Sequence, residues 1–326
     1  MTRKSISELP PIEDFRPIVD AAERGDLLLF IGAGVSRIIG SPSWEDLARK
    51  YLSFVLDCGL IKYSEFKHLE KQNPRKLLSI CKELMSNDPK KRVFDIQESL
   101  EVKINTSLEF KDIYQHLDNF HCPFVTTNVD GFLDSDLIIP EPIVSNNTTA
   151  INTARKNIYY HYSDLQDPKL LKPNDVVHIH GSIHDKELRD PVLTIKEYFQ
   201  AYSRSKPSAI TDLPEFLNRL FKNKVVLFMG YGLEEYEVLE FIVNNIEDPT
   251  EMRHYMLSPF MKEESNIIPL QEAYYRQLGI NLIPYSISNI GHPQLYYVIR
   301  EWSKTIGKIS KSKTFIDDLA TIDSIL

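Results

Sequence analysis

The chain has 326 residues, 42% of them hydrophobic and 26% charged, the balance of a globular protein with a sizeable core and not of a disordered one. Its 38 basic residues against 46 acidic ones give a net charge of −8, which argues against broad electrostatic capture of nucleic acid and leaves no expectation of sequence-specific binding to it. Apolar runs at 27–35 and 225–233 fall well short of the roughly 20 residues that span a bilayer. The first twenty residues carry acids and prolines where a secretory signal would carry an apolar core, so the expected compartment is the cytoplasm, with no membrane partner.

The first unit in chain order is an apolar strand, Leu27–Ile31, running into Gly32-Ala33-Gly34-Val35-Ser36, where small residues permit a tight turn and close backbone approach. A helix is expected from Ser43, with Asp46 as a capping acid and Trp44, Leu47, Ala48, Tyr51, Leu52 and Val55 along one apolar stripe. From about residue 53 to 119, helical spacing and many charges predict a helical insertion beside the sheet. Strand patterns return at 123–127, near Ile143, and at 158–162, 176–179 and 192–195. In the last third, residues 224–229 precede a helix with Val238, Leu239, Ile242 and Ile246 on one face, and strands follow at 255–257 and 281–285.

Such alternation predicts an α/β fold, a Rossmann-like doubly wound parallel sheet with a helical insertion subdomain. The expected organisation is an N-terminal segment at 1–25, one domain at 26–308 carrying the insertion at about 53–119, and a C-terminal tail at 309–326. Basic residues from Lys304 to Lys313, among them Lys308 and Lys311, read as a solvated tail. Cys58, Cys81 and Cys122 lie 23 and 41 positions apart. No CxxC pair exists, so a four-cysteine site cannot be built within one chain, and neither a zinc ribbon nor zinc is expected.

Four strand-end motifs carry candidate chemistry. After Ile31, Gly32 and Gly34 would let amides face a pyrophosphate, with Ser36 adding a hydroxyl. A dehydrogenase-type GxGxxG would need glycine where this chain has Arg37, and the same spacing also serves a plain tight turn. Thr126-Thr127-Asn128-Val129-Asp130 follows an apolar strand, at the carboxyl end where open α/β sheets place ligands; an Asx turn or helix cap is the structural alternative. In Val176-Val177-His178-Ile179-His180-Gly181-Ser182 an apolar strand ends on a histidine and a glycine. A period of two puts His178 and His180 on one face, and His180 suits general acid–base work as well as a structural role. Finally, Gly230-Tyr231-Gly232 follows a strand and precedes Glu234, Glu235 and Glu237. Acids at a helix start complement its dipole, and one could also accept bonds from a ribose.

These four elements, in this order, resemble the sirtuin family: GAGVS at 32–36, TTNVD at 126–130, HG at 180–181 and GYG at 230–232. The resemblance spans residues 27 to about 295, and Gly40-Ser41-Pro42-Ser43-Trp44 is similar to the sirtuin-like branch of bacterial antiviral defence proteins, which mainly consume NAD+ instead of deacylating lysine. It implies NAD+ as substrate, cleaved to nicotinamide and ADP-ribose or a cyclised product in a triggered antiphage response. By motif position, Asn128 would orient the ribose hydroxyls or water, His180 would act as general base and Asp130 would shape the nicotinamide pocket. Gly32, Ala33, Gly34 and Ser36 would hold the pyrophosphate, Gly230 and Gly232 would lie along the adenosine, and Thr127 and Gly181 complete the cofactor-binding set.

Two departures from the sirtuin pattern shape these expectations. Deacylases carry a four-cysteine zinc module between the HG and the later glycine motif, whereas residues 182–229 here contain no cysteine. Gly232 stands where the family often has serine, removing one hydroxyl contact to the adenosine side. An NAD-dependent deacylase and a non-catalytic NAD+ or ADP-ribose binder remain the alternatives. Because constant hydrolysis would drain the cell, activity is expected to depend on assembly into a homo-oligomer or on a separate sensor or activator, such as a HerA-type translocase or an Argonaute.

Overall fold

Every residue of the strand Leu27–Ile31 is buried, as is every residue of Val225–Met229, the burial expected of central parallel strands covered on both faces. The structure, a computed structural model, describes residues 7–100, 108–134, 157–203, 212–232, 236–246 and 252–325, with side chains of the last helix described to Ser312. The described strands are β1 (Leu27–Ile31), β2 (Phe124–Thr126), β3 (Ile158–Tyr159), β4 (Val176–His178), β5 (Val225–Met229), β6 (His254–Phe260) and β7 (Ile280–Ser286). They form one sheet in the order β3-β4-β2-β1-β5-β6-β7, and every neighbouring pair is parallel. The chain therefore places β2, β3 and β4 on one side of β1, with β4 inserted between β2 and the edge strand β3, then returns with β5 to the other side of β1. That reversal opens a crevice at the carboxyl ends of β1 and β5, the usual ligand position of an α/β sheet.

The described helices are α1 (Arg16–Arg24), α2 (Ala33–Ile38), α3 (Trp44–Asp57), α4 (Tyr63–Leu69), α5 (Pro74–Ser86), α6 (Ile96–Leu100), α7 (Ile113–Asp118), α8 (Ile195–Tyr202), α9 (Leu213–Asn223), α10 (Tyr236–Asn244), α11 (Ile268–Gln277) and α12 (Gln294–Ile325). Alternation along β1 divides the core. Leu27, Leu29 and Ile31 join Ile18, Phe120 and Trp302 from α1, the turn after α7, and α12. Leu28 and Phe30 join Tyr198, Phe216, Leu220 and Ile242 from α8, α9 and α10 on the opposite face. A third cluster lies between β1 and β2 in sequence: Leu47, Leu52 and Val55 of α3 pack on Leu77, Leu78 and Cys81 of α5, with Val129 and Leu193 at its border.

Ser43 caps α3 through a reciprocal bond with Asp46, in keeping with its sequence signature. The strand expected at 192–195 is absent. There Thr194 and Glu197 form another capping box that starts α8, so a local hydrogen-bond pair overrides the β-branched composition. The strand expected near Ile143 lies outside the described residues. Helix α12 runs without interruption across position 308, with Ile306 and Ser310 buried. Among the described residues no helix is long and apolar enough to cross a membrane.

Trp302 anchors α12: it is 2% exposed, its indole N–H donates to the Pro10 carbonyl at 2.8 Å, and its ring meets Phe15 at 5.7 Å. Trp302→Ala is expected to cost about 3–5 kcal/mol in urea unfolding. A loss under roughly 1 kcal/mol would contradict this packing.

Candidate functional site

The loop after β1 and the loop after β5 touch backbone to backbone. The Gly32 amide donates to the Met229 carbonyl at 3.0 Å and the Gly34 amide to the Gly230 carbonyl at 2.8 Å. A Cβ at Gly32 would lie 2.5 Å from the Gly230 oxygen, and one at Gly230, whose φ is +62°, would lie 2.6 Å from the Val35 nitrogen. Glycine is therefore required here for packing before any ligand is considered. Because the Gly34 amide is committed to Gly230, it does not face the crevice as the sequence reading supposed. Gly34, Gly230 and Gly232 instead form part of the wall of a cleft of about 390 Å³, opposite Tyr285 and His292. Arg37 also lines it, so the residue that breaks the dehydrogenase pattern supplies a cation beside the glycines.

Ser36 joins two of the motifs. Its hydroxyl donates to Asp130 Oδ2 at 2.8 Å, accepts from Asn128 Nδ2 at 3.1 Å and lies 2.8 Å from the Tyr114 hydroxyl. All four side chains are buried. Thr126 stitches the same loops together, donating its hydroxyl to the Ile31 carbonyl and accepting from the Asn128 amide. Burial raises the Asp130 pKa, against the lowering effect of its bonds from Ser36 and the Phe132 amide. Burial, followed by the nearby Asp130, also holds the Tyr114 phenol well above its ordinary value. Tyr114 comes from α7, far from either motif in sequence.

The two histidines part company. β4 ends at His178, so the two-residue alternation stops there and His180 sits in the turn before Gly181, whose φ is +82°. His178 Nδ1 donates to the Asn128 carbonyl at 2.9 Å, and its Nε2 lies 2.7 Å from Asp134 Oδ1. With a backbone carbonyl on one nitrogen and a carboxylate on the other, both face acceptors, an arrangement that favours the protonated ring. Burial alone would lower its pKa, but the Asp134 bond and charge outweigh burial and raise it. His180 has no exposed surface. Tyr202 Oη lies 2.8 Å from its Nε2 and Tyr198 Oη 3.4 Å from its Nδ1. Burial, helped by the Arg75 charge, lowers its pKa to about 3, only partly offset by a bond to the Thr127 backbone. That bond also ties Thr127, and so the TTNVD loop, to the histidine of the HG motif.

Access differs along the site. Ala33, Ser36, Asn128 and Asp130 border a narrow cavity of about 30 Å³, closed by Ser41, Pro42, Ser43, Trp44 and Leu47; this is room for about one water. Helix α8 covers His180 and is pinned to α5. Lys82 bonds Glu197 at 2.5 Å and Asp190 at 2.8 Å, the Ile195 amide donates to Ser79 Oγ at 3.0 Å, and Arg75 stacks on Tyr198 at 3.9 Å. Arg75 also pairs with Glu237 on α10. Among the described residues no group of three or more His, Cys, Asp or Glu could hold a metal ion.

Opposite titration behaviour follows. The unfolded value of about 6.5 is depressed in folded His180, so its contribution to stability is complete above pH 6.5 and is lost as pH falls towards about 3. The raised value of His178 makes its contribution complete below that point and lost as pH rises through the folded value. Imidazole ¹⁵N spectra should therefore show His178 keeping its second proton to a higher pH than an unfolded histidine does, and His180 neutral down to about pH 5. A His180 that titrates near its unfolded value would contradict the sealed geometry.

No curated protein matches the chain. Residues 123–283, which run from the start of β2 into β7 and include Asn128, Asp130, His180 and Gly230, match the model of the SIR2-like domain, a family that uses NAD+.

Proposed function

We propose that the chain binds NAD+ across the β1–β5 crevice and hydrolyses its bond to nicotinamide, acting as a triggered effector of antiphage defence through NAD+ depletion. The observation that supports this most is the meeting of Asn128, Asp130 and Ser36 in one buried hydrogen-bonded cluster, one residue away from the Thr127 backbone that bonds His180. The cleft walled by Gly34, Arg37, Gly230 and Gly232 is of a size to take the adenosine and phosphates, with the Arg37 guanidinium as counter-charge. The nicotinamide ribose would enter beside Asn128.

Water attacks the ribose carbon as the bond to nicotinamide breaks with its electron pair on the nicotinamide nitrogen. This passes through an oxocarbenium-like state that needs a dry, oriented site. Asn128 orients a ribose hydroxyl or the water, and His180 takes the proton of the attacking water. A base with a pKa of about 3 is too weak for that work at neutral pH. Burial is the main cause of the lowering, so a shift of α8 that lets water reach the ring returns it towards about 6.5. Opening thus admits the substrate and switches on the base together. A homo-oligomer contact or a separate activator protein is the natural agent of that shift.

His180→Ala and Asn128→Ala should each cut nicotinamide release by about 10²- to 10⁴-fold, with the chain still folded by circular dichroism and a melting temperature lowered by the loss of buried hydrogen bonds. Nicotinamide and ADP-ribose, or its cyclised form, should appear from NAD+ without an acetylated peptide; release only with peptide would mean deacylation, and binding without release would mean a non-catalytic module. Lys82→Met removes the ion pair to Glu197 on α8 and the one to Asp190 in the segment leading into it, and should raise basal release by about 2- to 5-fold, the effect of losing up to roughly 1 kcal/mol of clamp. Unchanged release would remove α8 opening from the mechanism.

A further inference from the structure

At the opposite end of the sheet lies a second cleft, of about 460 Å³, lined by Leu27, Pro123 and Lys224 at the amino ends of β1, β2 and β5. It cannot belong to the crevice described above, which sits at the carboxyl ends of those same strands. Arg24, Lys169, Lys172 and Lys224 line it, and no aspartate or glutamate does. In a chain of net charge −8, such a concentration of one sign in a concavity focuses potential on an anion.

Nearby acids leave the three lysines largely unneutralised, although Asp26 offsets the Arg24 charge. Asp26 pairs with Arg24 at 3.2 Å, Asp167 accepts from Arg219 at 2.8 Å and caps the Lys169 amide, and Asp175 accepts from the Lys172 and Asn157 amides. Among the described residues neither Lys169 nor Lys172 forms an ion pair. Lys224 is 7% exposed, yet among the described residues its ammonium, a donor of three hydrogens, bonds only the Gly25 carbonyl, at 3.1 Å. Burial lowers its pKa, with Asp26 opposing. A buried ammonium with incomplete acceptors costs free energy unless something supplies them.

We propose that this cleft binds a small phosphate-bearing anion of about mononucleotide size, with Lys169, Lys172 and Lys224 holding its phosphate oxygens. The volume falls within the range of small-molecule pockets, and lysines serve phosphates as point charges. The positive surface is a local concavity in an acidic chain, which favours a compact anion over a nucleic-acid strand that needs a long basic track. Leu171 and Pro173 on the same wall provide apolar surface for the non-phosphate part.

Calorimetric titration of the full chain with inorganic pyrophosphate, and separately with AMP, tests this. Lys169→Glu combined with Lys172→Glu, both exposed positions, should weaken pyrophosphate binding at least 10-fold, and the Lys→Met pair less. NAD+ binding at the other end of the sheet should stay within twofold and the melting temperature should hold. The proposal is overturned if pyrophosphate does not bind the wild-type chain at millimolar concentration, or if the charge-reversed variant binds it as the wild type does. It is equally overturned if a single-stranded oligonucleotide binds more tightly than AMP and is lost in the same variant, since the surface is then one for nucleic acid.

Discussion

Two loops pressed together without side chains between them set the geometry of this molecule. Gly32 and Gly34 seat directly on Gly230 and Tyr231, and the bond from the Gly34 amide to the Gly230 carbonyl closes the gap. Any side chain at these positions would push β1 and β5 apart at their carboxyl ends, where the topology reverses. Everything at the site is referenced to this seam. Ser36 can reach both Asn128 and Asp130 because α2 begins immediately above it. Thr126 then fixes β2 to β1 through the Ile31 carbonyl.

Charge is distributed around the seam in an uneven way. His178 and Asp134 form a buried hydrogen-bonded pair that favours the charged imidazole, whereas His180, two residues on, is held neutral among tyrosines. A buried pair contributes little net stability against an apolar replacement but is costly to break singly. Its structural effect here is directional: the His178 ring grips the Asn128 carbonyl, so the backbone of the TTNVD loop is held from one side while Ser36 holds the Asn128 side chain from the other.

Much of the framework was legible in the residues themselves. Buried apolar runs marked β1 and β5, Ser43 and Asp46 marked the start of α3, and glycines after strands marked the loops that meet. What escaped were partners brought in by tertiary contact. Tyr114 reaches Ser36 across 78 positions and Asp134 reaches His178 across 44, and no local pattern ties such residues together. The expectation that His178 and His180 share a face failed because strand periodicity ends where the strand does. The Gly34 amide was read as free for phosphate because a sequence does not show which carbonyl already holds an amide. Arg37 and the Thr194/Glu197 box were visible signals whose weight only the assembled structure sets.

The covering of His180 by α8 bears on equilibrium as well as on rate. A ligand that binds only an uncovered form must draw on the fraction of molecules already in that form. If that fraction were about one in a hundred, the measured dissociation constant would be roughly a hundredfold weaker than that of the uncovered site, about 2.7 kcal/mol. The same linkage runs in reverse, since ligand accumulating above that weakened constant pulls the population towards the uncovered form. On the proposed function, the side chains that fasten α8, Lys82 and Arg75 among them, would set the nucleotide concentration at which the uncovered form becomes populated.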